Sequence, residues 1–94
     1  MKLEWSADAL ADLDRFAAFL HRHFPALAKI VAREIIEKTE MLGRQPFLGH
    51  PIAGREEYRQ LVLRVLNAAY VLQYRVERGR LVILRVFHGR EMRK

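Results

Sequence analysis

Hydrophobic and polar positions alternate most clearly between Tyr58 and Arg90, where three apolar runs are separated by breaks at Asn67-Ala68 and Arg78-Gly79-Arg80. In the middle run Tyr70, Leu72, Tyr74 and Val76 take every second position, and in the last run Val82, Leu84, Val86 and His88 do the same. A period of two sends alternate side chains to opposite faces of a pleated strand, so this stretch predicts a three-stranded antiparallel meander. The other face mixes Val71, Ile83 and Phe87 with Gln73, Arg75 and Arg85. A sheet of that kind packs helices on its apolar side and offers the mixed side to a partner or substrate.

The N-terminal half follows a different period. Lys2 to Trp5 alternates briefly and predicts an edge strand, with Trp5 packed where that strand meets the helices. Ser6 supplies an N-cap hydroxyl, and Asp8 sits at the positive end of the helix that follows. Leu10, Leu13, Phe16, Ala17, Leu20 and Phe24 form one stripe at helical spacing with Asp8, Asp12, Arg15 and Arg22 opposite, which predicts a helix from about Ala7 to His23. Phe19 lies off that stripe, as flanking core or as a partner contact.

Pro25 suits the first turn of a second helix, whose buried stripe is Ala28, Val31, Ala32, Ile35, Thr39 and Leu42 and whose stop is Gly43. The connection between the two helices is so short that they form an antiparallel hairpin. Gly43 to Pro51 reads as a loop with Phe47 and Leu48 plugged against the helices, and irregular chain through Gly54 and Glu57 leads into the sheet. The order of elements predicts an α+β fold in one domain over residues 1–94. An N-terminal strand joins a free edge of the meander, and the helical hairpin covers one face of a four-stranded sheet.

Composition narrows the chemistry. An apolar fraction of 51% in 94 residues suffices for a core, and the absence of cysteine excludes disulfides, a thiolate nucleophile and Cys-ligated zinc. The opening MKLEWSADA has no apolar run of signal-peptide length and no later segment could span a bilayer, so a cytoplasmic protein without a membrane partner is expected. Residues 1–43 carry 6 Lys/Arg against 7 Asp/Glu, whereas residues 44–94 carry 11 against 4. Thirteen of the 17 basic residues are arginine, whose planar fork suits phosphates and carboxylates, so the basic half fits a nucleic acid, an acidic protein segment or simply a solvated surface.

Candidate reactive groups are few. His21, His23, His50 and His88 have no metal-site spacing, and no glycine-rich phosphate loop, Ser-His-Asp set or paired carboxylates stand out, so no metal and no cofactor is expected. His88 is in phase with Val86, which predicts a strand-end histidine bonded to backbone, although its reference pKa also suits proton transfer. Arg75 and Arg85 are expected to pair with Glu77, Glu56 or Glu57, and Tyr70 and Tyr74 to lie in the core.

The segments EWSADALADLDRFAAFL, LGRQPFLGHPIAGREEYRQLVL and AYVLQYRVERGRLVILRVFHGRE, in this order, resemble the RelE/ParE superfamily of type II toxin–antitoxin toxins over nearly the whole chain. The resemblance implies the strand, helical hairpin and meander architecture, and a cognate ParD-like antitoxin whose C-terminal segment is disordered until bound. RelE-like members are ribosome-dependent mRNA endoribonucleases, and ParE-like members are associated with inhibition of DNA gyrase. Cleaving members commonly have Arg after the Tyr that opens the middle strand and a Tyr near the C-terminus; here Val71 follows Tyr70, Gly89 follows His88, and no Tyr follows Tyr74. The ending is similar to ParE, which implies a gyrase-binding toxin with Arg90 and Glu91 as target contacts. Antitoxin contacts are then expected at Arg59, Arg64, Arg75, Arg85 and Phe19. The alternatives are an endoribonuclease using Arg64, Arg85, His88 and Arg90, and a non-toxic family member that only binds its partner.

Overall fold

The computed structural model describes residues 1–92, with side chains described as far as Arg90. Strand β1 (Lys2–Trp5) leads into helices α1 (Ala7–His23) and α2 (Pro25–Glu40) and a 3-10 turn at Met41–Gly43. Strands β2 (His50–Ile52), β3 (Arg55–Val65), β4 (Ala68–Glu77) and β5 (Arg80–His88) follow, and a last 3-10 turn spans Gly89–Met92. The α+β expectation is met, with five strands rather than four in the order β1-β5-β4-β3-β2. β2 is the unforeseen one: His50-Pro51-Ile52 is too short to show a period, and it forms by pairing back on β3 through the Ala53-Gly54 turn, both residues at positive φ.

The helical hairpin follows its punctuation. The Ser6 hydroxyl accepts the Ala9 N–H at 3.0 Å to start α1, and Pro25 opens α2. Of the foreseen line, Val31, Ile35 and Thr39 on α2 and Leu42 in the 3-10 turn are buried, and Ala28 and Ala32 are half-buried. On α1 the buried line is Ala9, Asp12 and Phe16, with Leu13 and Leu20 packed beside it, so the helix is rotated from the expected stripe and Leu10 is exposed. Phe24 is exposed as well, because it is the junction residue with φ −145° and ψ 66° and has left the helical phase.

Asp12 explains the rotation. β1 pairs in parallel with β5 only from Lys2↔Arg80 to Trp5↔Ile83, after which the chain turns into α1. The β5 backbone beyond that point would lack a neighbour, and α1 supplies one. Ser6 N–H donates to the Ile83 carbonyl at 2.9 Å, its hydroxyl donates to the Leu84 carbonyl at 2.9 Å, and the Asp12 carboxylate accepts the Val86 N–H at 2.8 Å. Here the β4–β5 register shifts, Gln73 facing Arg85 but Tyr74 facing Ile83, so Leu84 is the extra residue of a bulge. The bulge moves the core phase of β5 from the expected Val82, Leu84 and Val86 to Leu81, Ile83 and Val86.

Trp5 is half-buried and packs against the core. Trp5→Ala is therefore expected to cost about 2 kcal/mol, less than the emptying of a fully buried aromatic site. A urea denaturation midpoint equal to that of the unsubstituted chain would place the indole outside the core.

Candidate functional site: a groove between hairpin and sheet

An open groove of about 1290 Å³ lies where the free end of the helical hairpin meets the β3–β4 turn and the end of β5. Its floor is an aromatic stack. Phe16 meets Tyr70 edge-on with centroids 5.3 Å apart, and Tyr70 meets His88 in the same way at 5.3 Å. Burial pushes the Tyr70 hydroxyl above its ordinary pKa, so Tyr70 keeps its proton at physiological pH. The Arg15 guanidinium lies 4.8 Å from the Phe16 ring.

The walls carry apolar side chains that face solvent. Phe19 is 51% exposed with its ring 4.6 Å from that of His23, and Phe24 and Leu66 are similarly exposed. Leu66 turns the β3–β4 corner at φ 56°, a left-handed conformation that costs a non-glycine residue about 1 kcal/mol or more. A strained, exposed leucine at the rim is poorly explained by folding alone. Arg64 from β3 and Arg90 after β5 complete the rim. Gly89 allows the last turn to form, since a Cβ there would sit 3.2 Å from the Ala69 carbonyl oxygen. The Arg90 N–H donates to His88 Nδ1 at 3.1 Å, so the histidine is bonded to backbone as expected from its phase.

The structure thus brings Arg64, His88, Arg90 and Phe19 together and separates them from Arg59, Arg75 and Arg85. Arg85 grips Asp12, Nε to Oδ2 at 2.8 Å and an Nη to Oδ1 at 3.0 Å, and lies 4.6 Å from the Phe87 ring. Burial alone would raise the Asp12 carboxyl, but hydrogen bonds from Arg85, the Val86 N–H and Arg15 outweigh it and hold the pKa at about 2. Arg75 pairs with Glu77 and reaches the Tyr58 hydroxyl at 3.4 Å. Arg59 does not present a basic surface: it is 7% exposed, bonded to Glu56 at 2.5 Å and to the Gly49 carbonyl at 2.8 Å. The Glu91 side chain lies outside the described residues.

Phe47 and Leu48 are not plugs. Phe47 is 62% exposed with the Arg59 guanidinium 4.7 Å from its ring, and what anchors their loop is Tyr74, whose hydroxyl accepts from Gly49 N–H and donates to the Pro46 carbonyl. Sequence reasoning also missed Leu66 and Phe24 as groove residues. Their signal was an apolar side chain placed at a turn, beside Asn67 and Pro25 respectively.

A sequence model of the ParE toxin of the type II toxin–antitoxin system parDE matches residues 3–93. The chain belongs to the ParE toxin family. The Sinorhizobium fredii protein named "Putative toxin Y4kP" is 34% identical over 92 residues, covering 96% of this chain and 90% of the relative. Among solved structures, a chromosomal ParDE toxin–antitoxin system from P. aeruginosa superposes with a TM-score of 0.78 at 25% identity, over 94% of this chain and 95% of the other. A YoeB/ParE toxin from Agrobacterium tumefaciens shares the fold at a TM-score of 0.54 and 20% identity, over 95% and 99%. This ParE-family protein is thus the toxin component of a type II system, with an antitoxin as its partner.

Proposed function

We propose that this ParE-family toxin acts by binding its target rather than by cleaving a bond, with DNA gyrase as that target and a ParD-like antitoxin, disordered in its C-terminal segment until bound, as its inhibitor. The character of the groove carries this reading. Exposed Phe19, Phe24 and Leu66 are rimmed by Arg64 and Arg90, and no Asp or Glu is among its described lining residues. Aromatic and arginine side chains around an apolar centre are the makings of a protein interface. Metal-free RNA cleavage needs a base, a proton donor and cations converging on one phosphate. Of the four residues that would serve, Arg85 is committed to Asp12 and His88 uses Nδ1 to hold the last turn.

One observation favours a ribosome-dependent endoribonuclease as the second reading, the convergence of Arg64, His88 and Arg90 on a single groove. His88→Ala separates the two. A ribonuclease relying on His88 for proton transfer loses about 10²–10⁴-fold in rate, whereas the binding toxin is expected to keep its toxicity. Expression is expected to stall DNA replication and elongate cells, and purified protein added to translating ribosomes to leave mRNA uncut. Codon-specific cleavage that disappears in folded His88→Ala protein would promote the endoribonuclease, and a chain that inhibits neither process would be a binding module only.

A further inference from the structure

One border of the sheet is interrupted. β2 reaches along β3 only as far as His50↔Gln60, whereas β4 accompanies β3 on its other side to Val65↔Ala68. Residues 61–65 therefore have a strand neighbour on one side only. Alternate residues of an antiparallel strand turn their N–H and C=O away from a given neighbour, so this run presents unsatisfied backbone groups. None of the described backbone bonds outside the regular elements reaches it. Its sequence is Leu61, Val62, Leu63, Arg64 and Val65, with Val62 53% exposed. Natural sheets cover or blunt an apolar edge of this kind, because it templates pairing with another chain.

The edge is open because the chain before β2 is held away from it. Gly49 N–H donates to the Tyr74 hydroxyl at 2.9 Å, and its carbonyl accepts from the buried Arg59 at 2.8 Å. A Cβ on Gly49 would lie 2.7 Å from the Gln60 carbonyl oxygen and 2.8 Å from the Tyr74 oxygen, so only glycine fits at the point where the chain turns inward. Beside this step is a hollow of about 390 Å³ lined by residues that include Pro51, Ile52, Leu61 and Val62. A buried arginine and a buried tyrosine hydroxyl are thus spent on fixing the place where β2 stops.

We propose that residues 61–65 of β3 accept an extended segment of an acidic protein partner as a sixth strand. The charge selects the occupant. Arg64 is exposed on this run and the chain carries a net +6, so a second copy would set like charges against each other. A segment alternating apolar and acidic residues continues the face of Leu63 and Val65 with one set and meets Arg64 with the other. The inference does not depend on gyrase as the target, and the run shares Arg64 and Val65 with the groove.

The probe is an end-blocked nonapeptide of alternating valine and glutamate, used at up to millimolar concentration with the whole chain, and compared with the same peptide N-methylated at alternate amides. Amide NMR is expected to give saturable shifts and slowed hydrogen exchange confined to residues 60–66. Affinity is expected to fall at least about tenfold with the N-methylated peptide, which cannot complete the ladder, and again with the unmodified peptide on Arg64→Glu. No saturable binding, equal affinity for the N-methylated peptide, or protection elsewhere in the chain overturns the proposal. Concentration-dependent dimerisation that protects the same amides without peptide also overturns it, by making a second copy the occupant.

Discussion

Asp12→Ala is expected to lower the free energy of unfolding by about 3 kcal/mol, far more than the loss of an acidic residue from a helix surface. The side chain is 1% exposed and accepts three kinds of donor: the Val86 backbone N–H, the Arg85 guanidinium and Arg15 at 2.8 Å. Removing it leaves the Val86 N–H buried without an acceptor, at about 1–3 kcal/mol, and releases the bulge that sets the phase of β5. Arg85 and Arg15 are each more than 40% exposed in their side chains, so water replaces part of what they lose. The pH dependence has a definite sign. Asp12 titrates at about 2 when folded against 3.8 ordinarily, so the unfolded chain takes up the proton first. The stabilisation is complete above pH 4 or so and drains away as pH falls through about 2, a contribution of roughly 2 kcal/mol. Acid unfolding curves should be correspondingly flatter in Asp12→Ala. A midpoint unchanged at pH 7, together with an unaltered acid limb, would remove Asp12 from this account.

The elements of the fold were readable because each rests on a local signal. Period two marked β4, Ser6 and Pro25 marked the helix starts, and Gly43, expected to stop α2, closes the 3-10 turn that follows its end at Glu40. Phases were readable only where nothing long-range intervened. The β5 stripe was misassigned because the Leu84 bulge adds one residue, and one residue exchanges the two faces of a strand. The face of α1 was misassigned because Asp12 was sorted by polarity, while its spacing from Ala9 and Phe16 placed it inside. The same holds for Arg59, which is in phase with Leu61, Leu63 and Val65 and follows them to the core side of β3. Asp12 is satisfied chiefly by Arg85 and Val86, far away in sequence, and Arg59 by Glu56 together with the Gly49 carbonyl of the preceding loop, so neither burial is announced by the polarity of the residue itself. The groove was legible only in part. Arg64, His88 and Arg90 were singled out by type, but their meeting with Phe19, Phe24 and Leu66 is a product of the fold.

Reversing the groove at two points, Phe19→Asp with Arg64→Glu, is expected to weaken the complex with the antitoxin encoded alongside by at least about 100-fold. An acidic, amphipathic segment folding onto this surface recovers its ordering entropy mainly from burying the exposed rings of Phe19 and Phe24 and from meeting the arginines at the rim. Anchors at the centre of such an interface typically carry about 2 kcal/mol or more each, and a charge placed against a like charge adds to the loss. Both side chains are exposed in the free toxin, so thermal unfolding of the double variant should stay near that of the parent and separate affinity from folding. Arg75→Glu is the internal control, because Arg75 is outside the groove and already paired with Glu77. It should change the dissociation constant by less than about threefold, in keeping with the small worth of an exposed ion pair. Phe19→Asp alone distinguishes the groove from the β3 edge, since Phe19 lies on α1 and touches only the former. Titration calorimetry that returns an unchanged Kd for Phe19→Asp, with Arg64→Glu still weakened, would shift the antitoxin from the groove to the open edge of the sheet.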